Sequence, residues 1–577
     1  MEKEEGEGLA YANSRHNAKP IKEPGLETGH QHITPARSIQ SQPPRISPSI
    51  TRTSTRSRLH GGHDGFSIFG QDEGSDEDVT AQVPEGDPEK KRDTDEGKFR
   101  VKFNGETDPM SPRSMGRLRK WSIVLIVSLS SLCVTCTSSL YTFTYTQIIP
   151  EFHTSEELAT LGLSIFVAGL GLGPMVLAPL SEFYGRRLVY IVSYIFFIIW
   201  LLPCALAPNL ATLLVARFLS GLSGSAFLSV AGGTVGDMFT RAELSTPMMV
   251  YTASPFIGPE VGPLIGGFIN QYANWRWSFW VLMIWAGVQL TLIVLFVPET
   301  YHPVVLRNKA RKLRKETGDQ RYKAQIEIMD RSIPKKIMLS CTRPFELLFL
   351  EPMCLNLCLL SAILLGIIYL FFGAFTLVFE NNHDFQLWQI GLTFLGIFAG
   401  MIIGIGCNSF LWDTMYLRLC KREQERRGEE EMGSDPGASG ASEPEFRLPP
   451  TIAGAVLVPI GLFGFAWTTY PSVHWIVPII SSGIFGLGTV WCFSGIFTFL
   501  VECYPLYAAS ALAANSFARS SFAAAFPLFG VQMYNKLGYQ WATSLLAFLA
   551  LAMAPFPYIF YKYGKRIRGK SRFAISI

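Results

Sequence analysis

The chain has 577 residues, 48% of them hydrophobic and only 17% charged, against about 25% charged in a soluble globular domain. The charges crowd into residues 1–120, 302–343, 417–447 and 562–572, and the apolar runs between them are long enough for helices that cross a hydrocarbon core in roughly 20 residues. That segregation excludes a water-soluble domain, and the net charge of +4 adds little, because in a membrane protein the sign of each loop matters more than the sum.

In chain order, residues 1–115 are rich in Ser, Pro, Arg, Glu and Gly, as in SIQSQPPRISPSITRTSTRSR. They read as a disordered cytoplasmic tail, not a leader peptide, because they offer too little apolar surface to offset their ordering entropy. The run RTSTRSR fits a kinase target and a plain solvated tail equally well. Six apolar spans follow, near 121–146, 158–180, 188–207, 211–236, 247–270 and 277–297. A basic cytoplasmic loop over 301–343 contains RNKARKLRKETGDQRYKAQ, and six more spans lie near 353–379, 387–411, 450–470, 475–499, 507–531 and 540–561. We expect an all-α membrane protein with twelve transmembrane helices in two six-helix bundles, residues 116–300 and 344–577, the second carrying a cytoplasmic loop at 412–449.

Lys and Arg concentrate on the cytoplasmic side of membrane proteins. With both termini inside, about thirty basic residues fall on inner loops and two, Arg276 and Lys536, on outer ones. The outer loops carry Glu151, Glu156, Glu157, Glu380 and Asp384, and Trp121, Trp275, Trp277 and Trp475 stand where interfacial anchors belong. A shift of 231 residues lays Gly169 on Gly400, Gly173 on Gly404, Glu182 on Asp413 and Arg187 on Arg418. This echo fits a duplicated six-span unit, and parallel repeats of that kind put a substrate site between the halves, near the midplane.

The second span ends in APLSEFYGRR, residues 178–187. Gly169, Gly171 and Gly173 allow close helix approach, Pro179 lies near the helix end, and Gly185 permits a tight turn. Glu182 can accept hydrogen bonds or pair with an arginine, and Asp237 at the inner end of the fourth span is a second partner for Arg186. With Arg187, these groups suggest an inner gate latch of charge-assisted hydrogen bonds; the plainer reading is positive-inside topology and an ordinary turn.

The series of glycine, proline, acid, glycine and arginine resembles the signature loop of the major facilitator superfamily, with Glu182 where many members carry Asp. ARFLSGLSGSAFLS (216–229) resembles the fourth-span motif of that family, and SPFIGPEVGPLIGGF (254–268) resembles the fifth-span motif of its proton-coupled drug exporters. PETYHPVVLRNKARKLRKETGD (298–319) and ECYPLYAASALAANSFARSSFAAAFPLFG (502–530) are similar to the fungal drug:proton antiporters, a group that includes polyamine, azole and cycloheximide exporters. The resemblance covers about residues 100–570 and implies the major facilitator fold and an alternating-access exporter in the plasma membrane, a vacuolar membrane being the lesser option. It also implies that Arg217 takes part in proton coupling and that the stripe Gly258, Pro259, Gly262, Pro263, Gly266 and Gly267 limits leak.

Charge at bilayer depth normally faces a cavity or a partner. Arg217 lies about six residues inside the outer end of the fourth span and either faces the central cavity, organising acids or water, or snorkels outward. Glu260, mid-way along the fifth span, either exchanges a proton, pairs with a cationic drug, or stays protonated against backbone freed by the neighbouring prolines. Glu502 at the inner end of the tenth span suggests a gate contact or a solvated interfacial acid. Arg519, deep in the eleventh span, calls for a partner carboxylate or an anionic ligand, and Asn515 one turn earlier shares its face. Tyr251, Tyr369 and Trp491 are candidate cavity residues among many aromatics that simply face lipid or neighbouring helices.

No Walker A loop, metal-binding cluster or basic–aromatic run appears in the sequence, so we expect no enzyme activity, no cofactor or metal, and no nucleic-acid partner. Cys133 and Cys136 form C-x-x-C within an apolar span and read as buried thiols. The expected partners are a small-molecule substrate, protons and the lipid bilayer, with the basic central loop near anionic lipid. The leading expectation is proton-coupled efflux of a drug, toxin or secondary metabolite. Nutrient or polyamine uptake is the alternative within transport, and a non-transporting receptor signalling through the tail is the alternative outside it.

Overall fold

The computed structural model describes residues 99–103, 108–240, 243–328, 333–427 and 443–574. Most of the expected tail, including RTSTRSR, lies outside the described residues.

Six long helices make up the first set: α1 (Arg117–Leu140), α2 (Glu156–Tyr184), α3 (Arg186–Ala205), α4 (Leu210–Gly224), α5 (Ser245–Tyr272) and α6 (Arg276–Phe296). The local sequence explains their ends. Ser155 caps α2 by accepting the Leu158 N–H at 3.4 Å, with Glu156 and Glu157 in the first turn against the helix dipole. Gly185 alone separates α2 from α3; its φ of +99° is open to glycine and strained for any other residue. Asn209 caps α4 through the Thr212 N–H at 2.9 Å, and α4 continues with short breaks through Ala226–Ser229 and Ala231–Met238. α5 stays helical through Pro255, Pro259 and Pro263, whose spacing of four stacks the three missing N–H groups on one face.

The second set is α7 (Pro352–His383), α8 (Leu395–Cys407), α9 (Pro449–Ala466), α10 (Ile476–Cys503), α11 (Ala508–Leu537) and α12 (Tyr539–Met553). A short helix, Leu387–Thr393, leads into α8, and a π-helical turn, Asn408–Asp413, carries it into Thr414–Arg427. Ten stretches among the described residues are long and apolar enough to cross a membrane, against the expected twelve. The two that fall short are α5 and α11, at 28 and 30 residues long enough but rich in Gly, Pro, Ser and Ala, with Glu260 on one and Arg519 on the other.

The neighbours of each helix repeat with a shift of six. In the first set α1 packs on α5 and α6, α2 on α4, and α3 on α4 and α6; in the second α7 packs on α11 and α12, α8 on α10, and α9 on α10 and α12. The contacts between sets obey the same rule, with α2 against α11 and α5 against α8 and its leading helix. The glycine echo has a common geometry: Gly169 and Gly173 lie against the α4 backbone and Ser225, and Gly400 and Gly404 against Gly483 and Leu487 of α10. The stretches containing α1 and α7 are 83% buried and that of α6 only 28%, which puts α1 and α7 near the axis and α6 on the rim.

The sequence reads 301–343 as a loop, but the structure builds helices there. His302–Thr317 starts with Pro303 in its first turn and stops at Gly318 with φ +71°. Its apolar face holds Ala310, which is buried with Val101 and Ala324. Residues 99–103 lie over this face as a strap: the Val101 N–H donates to the Lys323 carbonyl at 3.0 Å and the Lys323 N–H to the Phe99 carbonyl at 3.1 Å. Asp108 and Lys309 close the strap with an ion pair at 2.5 Å. A further helix, Ile333–Leu350, packs on both α2 and α11.

Candidate functional site

Three of the expected intramembrane charges approach one tyrosine. Tyr369 on α7 is buried, shares a hydrogen bond of 2.9 Å with the Ser138 hydroxyl on α1, and lies within electrostatic reach of Glu260, Arg217 and Arg519. Glu260 is 2% exposed, and neither carboxylate oxygen has a hydrogen-bond partner. Its helix is pressed onto α1 by Gly258, Gly262 and Gly266, which face Thr135, Ser139 and Leu140, while Gly267 turns the other way, toward Leu387 and Trp388 of the second set. Pro259 and Pro263 fall on the same turns, and the Pro263 carbonyl abuts Gly391.

Arg217 differs from its expected setting. It is fully buried and donates to backbone carbonyls, Nη1 to Thr137 at 2.9 Å, Nε to Gly162 at 3.3 Å and Nη2 to Ser138 at 3.4 Å, with Tyr141 and Phe166 against its faces. The Thr137 and Ser138 carbonyls lie where α1 tightens into the 3-10 turn Tyr141–Thr144, so Arg217 satisfies acceptors at a helix end and pairs with no acid among the described residues.

Arg519 makes no hydrogen bond or ion pair among the described residues, so of the two expected partners, a carboxylate or an anionic ligand, these residues supply no carboxylate, and its Nε is buried without a partner. Its guanidinium lies over Phe497 at 4.8 Å, Phe256 at 5.3 Å and Phe493 at 5.6 Å. Asn515 is turned to α7, exchanging hydrogen bonds with Ser361 at 3.1 and 3.2 Å. Tyr251 donates to the Leu228 carbonyl at 3.0 Å, and Trp491 to the Gly404 carbonyl at 3.0 Å, so both tie neighbouring helices of one set.

At the basic ends of the helices each set carries its own charge cluster. In the first, the buried Arg186 donates Nε to Asp237 at 3.3 Å and Nη1 to Ser181 at 2.6 Å, with Tyr301 against its face and the buried Glu182 within electrostatic reach. Arg187 donates to the Val294 carbonyl at 2.8 Å. Gly185 is required here twice over, because a side chain would also run into Glu299. Glu299 gathers four backbone N–H groups, of Arg186 (2.9 Å), Arg187 (3.2 Å), Thr300 (3.1 Å) and Tyr301 (2.9 Å). In the second set Arg447 donates to Glu502 at 2.7 Å, stacks on Tyr416, and is within reach of Asp413. The order is the same in both: an acid near the end of α2 or ending the π-helical turn after α8, an arginine opening α3 or leading into α9, an acid near the end of the α4 segment or of α10.

A family model described as Major Facilitator Superfamily matches residues 127–527. The chain belongs to the major facilitator superfamily. It is 57% identical to the efflux pump atB of Aspergillus terreus over 87% of this chain and 93% of that protein. It is 42% identical to the probable drug/proton antiporter YHK8 of Saccharomyces cerevisiae over 82% and 90%. Among solved structures, the proton:xylose symporter XylE of E. coli aligns with a TM-score of 0.52 at 14% identity, over 78% of this chain and 96% of that one, a likeness that speaks for the fold alone.

Within this superfamily fold, sequence reasoning missed Glu299, Arg447, Glu445 and Arg568. Glu445 and the buried Arg568 form a two-pronged pair at 2.7 and 2.8 Å, joining the approach to α9 to the end of the α12 segment, as Glu299 joins α3 to the end of α6. Glu299 had a signal, an acid just past a span and facing the helix start after Gly185. Arg447 had none in the shifted alignment, because Thr414–Arg427 and the residues after it intervene, and the echo lands instead on the exposed Arg418.

Proposed function

We propose that this superfamily member exports small, largely apolar organic molecules across a fungal plasma membrane in exchange for protons. The relatives named efflux pump and drug/proton antiporter support the direction and the ion. The observation that carries the reading on this chain is Glu260, a buried carboxyl on α5 with no hydrogen-bond donor and no ion-pair partner among the described residues. Such a group can take a proton from one side and give it to the other as the cavity changes face.

In this scheme all twelve helices span the bilayer, both termini are cytoplasmic, and residues 116–300 and 344–577 move as two units joined by 301–343. Substrate enters from the inner side and settles between the sets, and the inner ends close with the Glu182, Arg186 and Asp237 cluster and its Asp413, Arg447 and Glu502 counterpart kept intact. The outer ends, which meet through Gly267, Leu387 and Gly391, then part. A proton reaching Glu260 resets the carrier, with Arg217 holding the α1 turn and Tyr369 linking the two sets through Ser138.

The test is efflux of a labelled relative-type drug from proteoliposomes carrying the full chain, with an imposed acid gradient. The expected result is concentrative transport that collapses with the gradient, and a Glu260→Gln protein that exchanges substrate but no longer responds to pH. Gradient-driven transport of undiminished size by that variant removes Glu260 from the coupling.

A further inference from the structure

The arrangement around Arg519 bears on what is carried. Arg519 lies 11 residues from the start of α11, Phe256 lies 11 from the start of α5, and Phe493 lies 10 from the end of α10. At 1.5 Å per residue, all three sit at roughly 15–17 Å from the basic ends of their helices, about half of a 30 Å core. They converge from three helices of both sets on one level.

The three phenylalanine rings are close to parallel. Phe256 stacks on Phe493 at 4.4 Å with 20° between planes, and Phe493 and Phe497 are 6.1 Å apart at 7°. Phe256 and Phe493 are buried, whereas Phe497 and Arg519 are half-buried and form the accessible rim of the cluster. A guanidinium stays charged at any physiological pH, and at this depth it calls for hydrogen-bond acceptors, backbone carbonyls as at Arg217 or an anion. The rings attract the cation but accept no conventional hydrogen bond, and the buried Nε has no acceptor. Tyr251 and Tyr369, also within electrostatic reach, have their hydroxyls engaged elsewhere. No carboxylate is within 4 Å of Arg519 among the described residues, and Glu260 has no ion pair with it.

We propose that Arg519 and the Phe256, Phe493 and Phe497 rings form the substrate subsite for a flat aromatic molecule bearing a single anionic oxygen group, a carboxylate or an ionised phenol. The aromatic body continues the parallel stack at Phe497, and the anion takes the edge of the guanidinium, where a planar two-oxygen group can accept two parallel N–H donors. The inference rests on the export reading, because it assigns cargo to that same central site.

The test uses three isosteres that differ in charge: 2-naphthoate, 2-naphthamide and 2-naphthamidine. Their binding to the purified full chain in detergent is measured by equilibrium dialysis. The subsite predicts naphthoate bound at least tenfold more tightly than the amide, and the amidine weakest. Arg519→Gln makes naphthoate and naphthamide equal while leaving the amide within about twofold. Arg519→Lys keeps the order but weakens naphthoate severalfold, since a point charge lacks the planar fork. Phe497→Leu weakens all three ligands together. Variants are compared only after matching the wild-type elution profile. The proposal is overturned if the amidine binds as tightly as naphthoate, if the charge preference survives Arg519→Gln, or if none of the three binds saturably. If the preference is present but no acid gradient drives transport, the export reading fails and the subsite stands; if a neutral drug is pumped without any charge preference, the reverse holds.

Discussion

Glu299 gives the sharpest prediction about stability. Its Oε1 accepts the N–H groups of Arg186, Thr300 and Tyr301, and its Oε2 that of Arg187. Two of these donors are first-turn N–H groups of α3 that have no partner within the helix. In Glu299→Gln the amide oxygen can keep the first three at neutral strength, while the NH2 group faces the Arg187 N–H, donor against donor. Bonds to a charged acceptor contribute about 1 kcal/mol more than neutral ones, and a carboxylate at a helix start adds roughly 0.3–1 kcal/mol. Allowing for water at a half-buried site, the loss is about 2 kcal/mol for Gln and about 4 kcal/mol for Ala, which abandons all four donors. For a melting unit the size of residues 116–300, at roughly 2–4 °C per kcal/mol, the melting temperature falls about 4–8 °C and 8–16 °C. A thiol-reactive dye reads this directly, because Cys133, Cys136 and Cys204 of the first set are free and buried. An Ala variant that melts within about 1 °C of wild type refutes the reasoning, and a Gln variant equal to wild type shows that the charge has no part in it.

Two further outcomes follow from the inner clusters. Arg186→Ala strands Asp237 in a buried pair and is expected to cost about 3–5 kcal/mol, while Arg447→Ala strands a Glu502 whose side chain is 28% exposed and costs less, an order the same dye assay checks. His302, on the helix after α6, is held neutral: burial first, then the positive Arg113 and Arg186, depress it from its usual 6.5 to about 4. The unfolded chain therefore binds more protons between those values, and the contribution of His302 to stability is fully present above about pH 6.5 and lost as pH falls toward 4. Melting temperatures measured from pH 7 to 4 should decline in wild type and decline less steeply in His302→Phe; equal slopes exclude His302 as the source.

The long apolar spans, their order and the fold they imply are plain in the sequence, because a bilayer leaves few ways to satisfy a buried backbone. The link from Arg186 to Asp237 is readable too, from two charges at helix ends on one side. The settings of Arg217 and Arg519 are not. A buried arginine can donate to carbonyls at a helix end or lie against ring faces, and neither setting leaves a mark in composition. α5 and α11 fall short in apolarity because helices that must touch other helices along their length need small residues more than greasy ones. The strap at 99–103 escaped notice because it pairs through backbone groups, which every residue possesses.

The seams between the two sets share one property. At Gly171 against Ser520, and at Gly267 and Gly391 against the facing main chain, there is little side chain to interlock. A joint made of nearly bare backbone has no teeth to disengage, so the two sides can slide at Gly171 and come apart cleanly at Gly267 and Gly391 as the carrier changes face. A single added methyl at such a place acts as grit: it leaves each side sound and jams the motion between them.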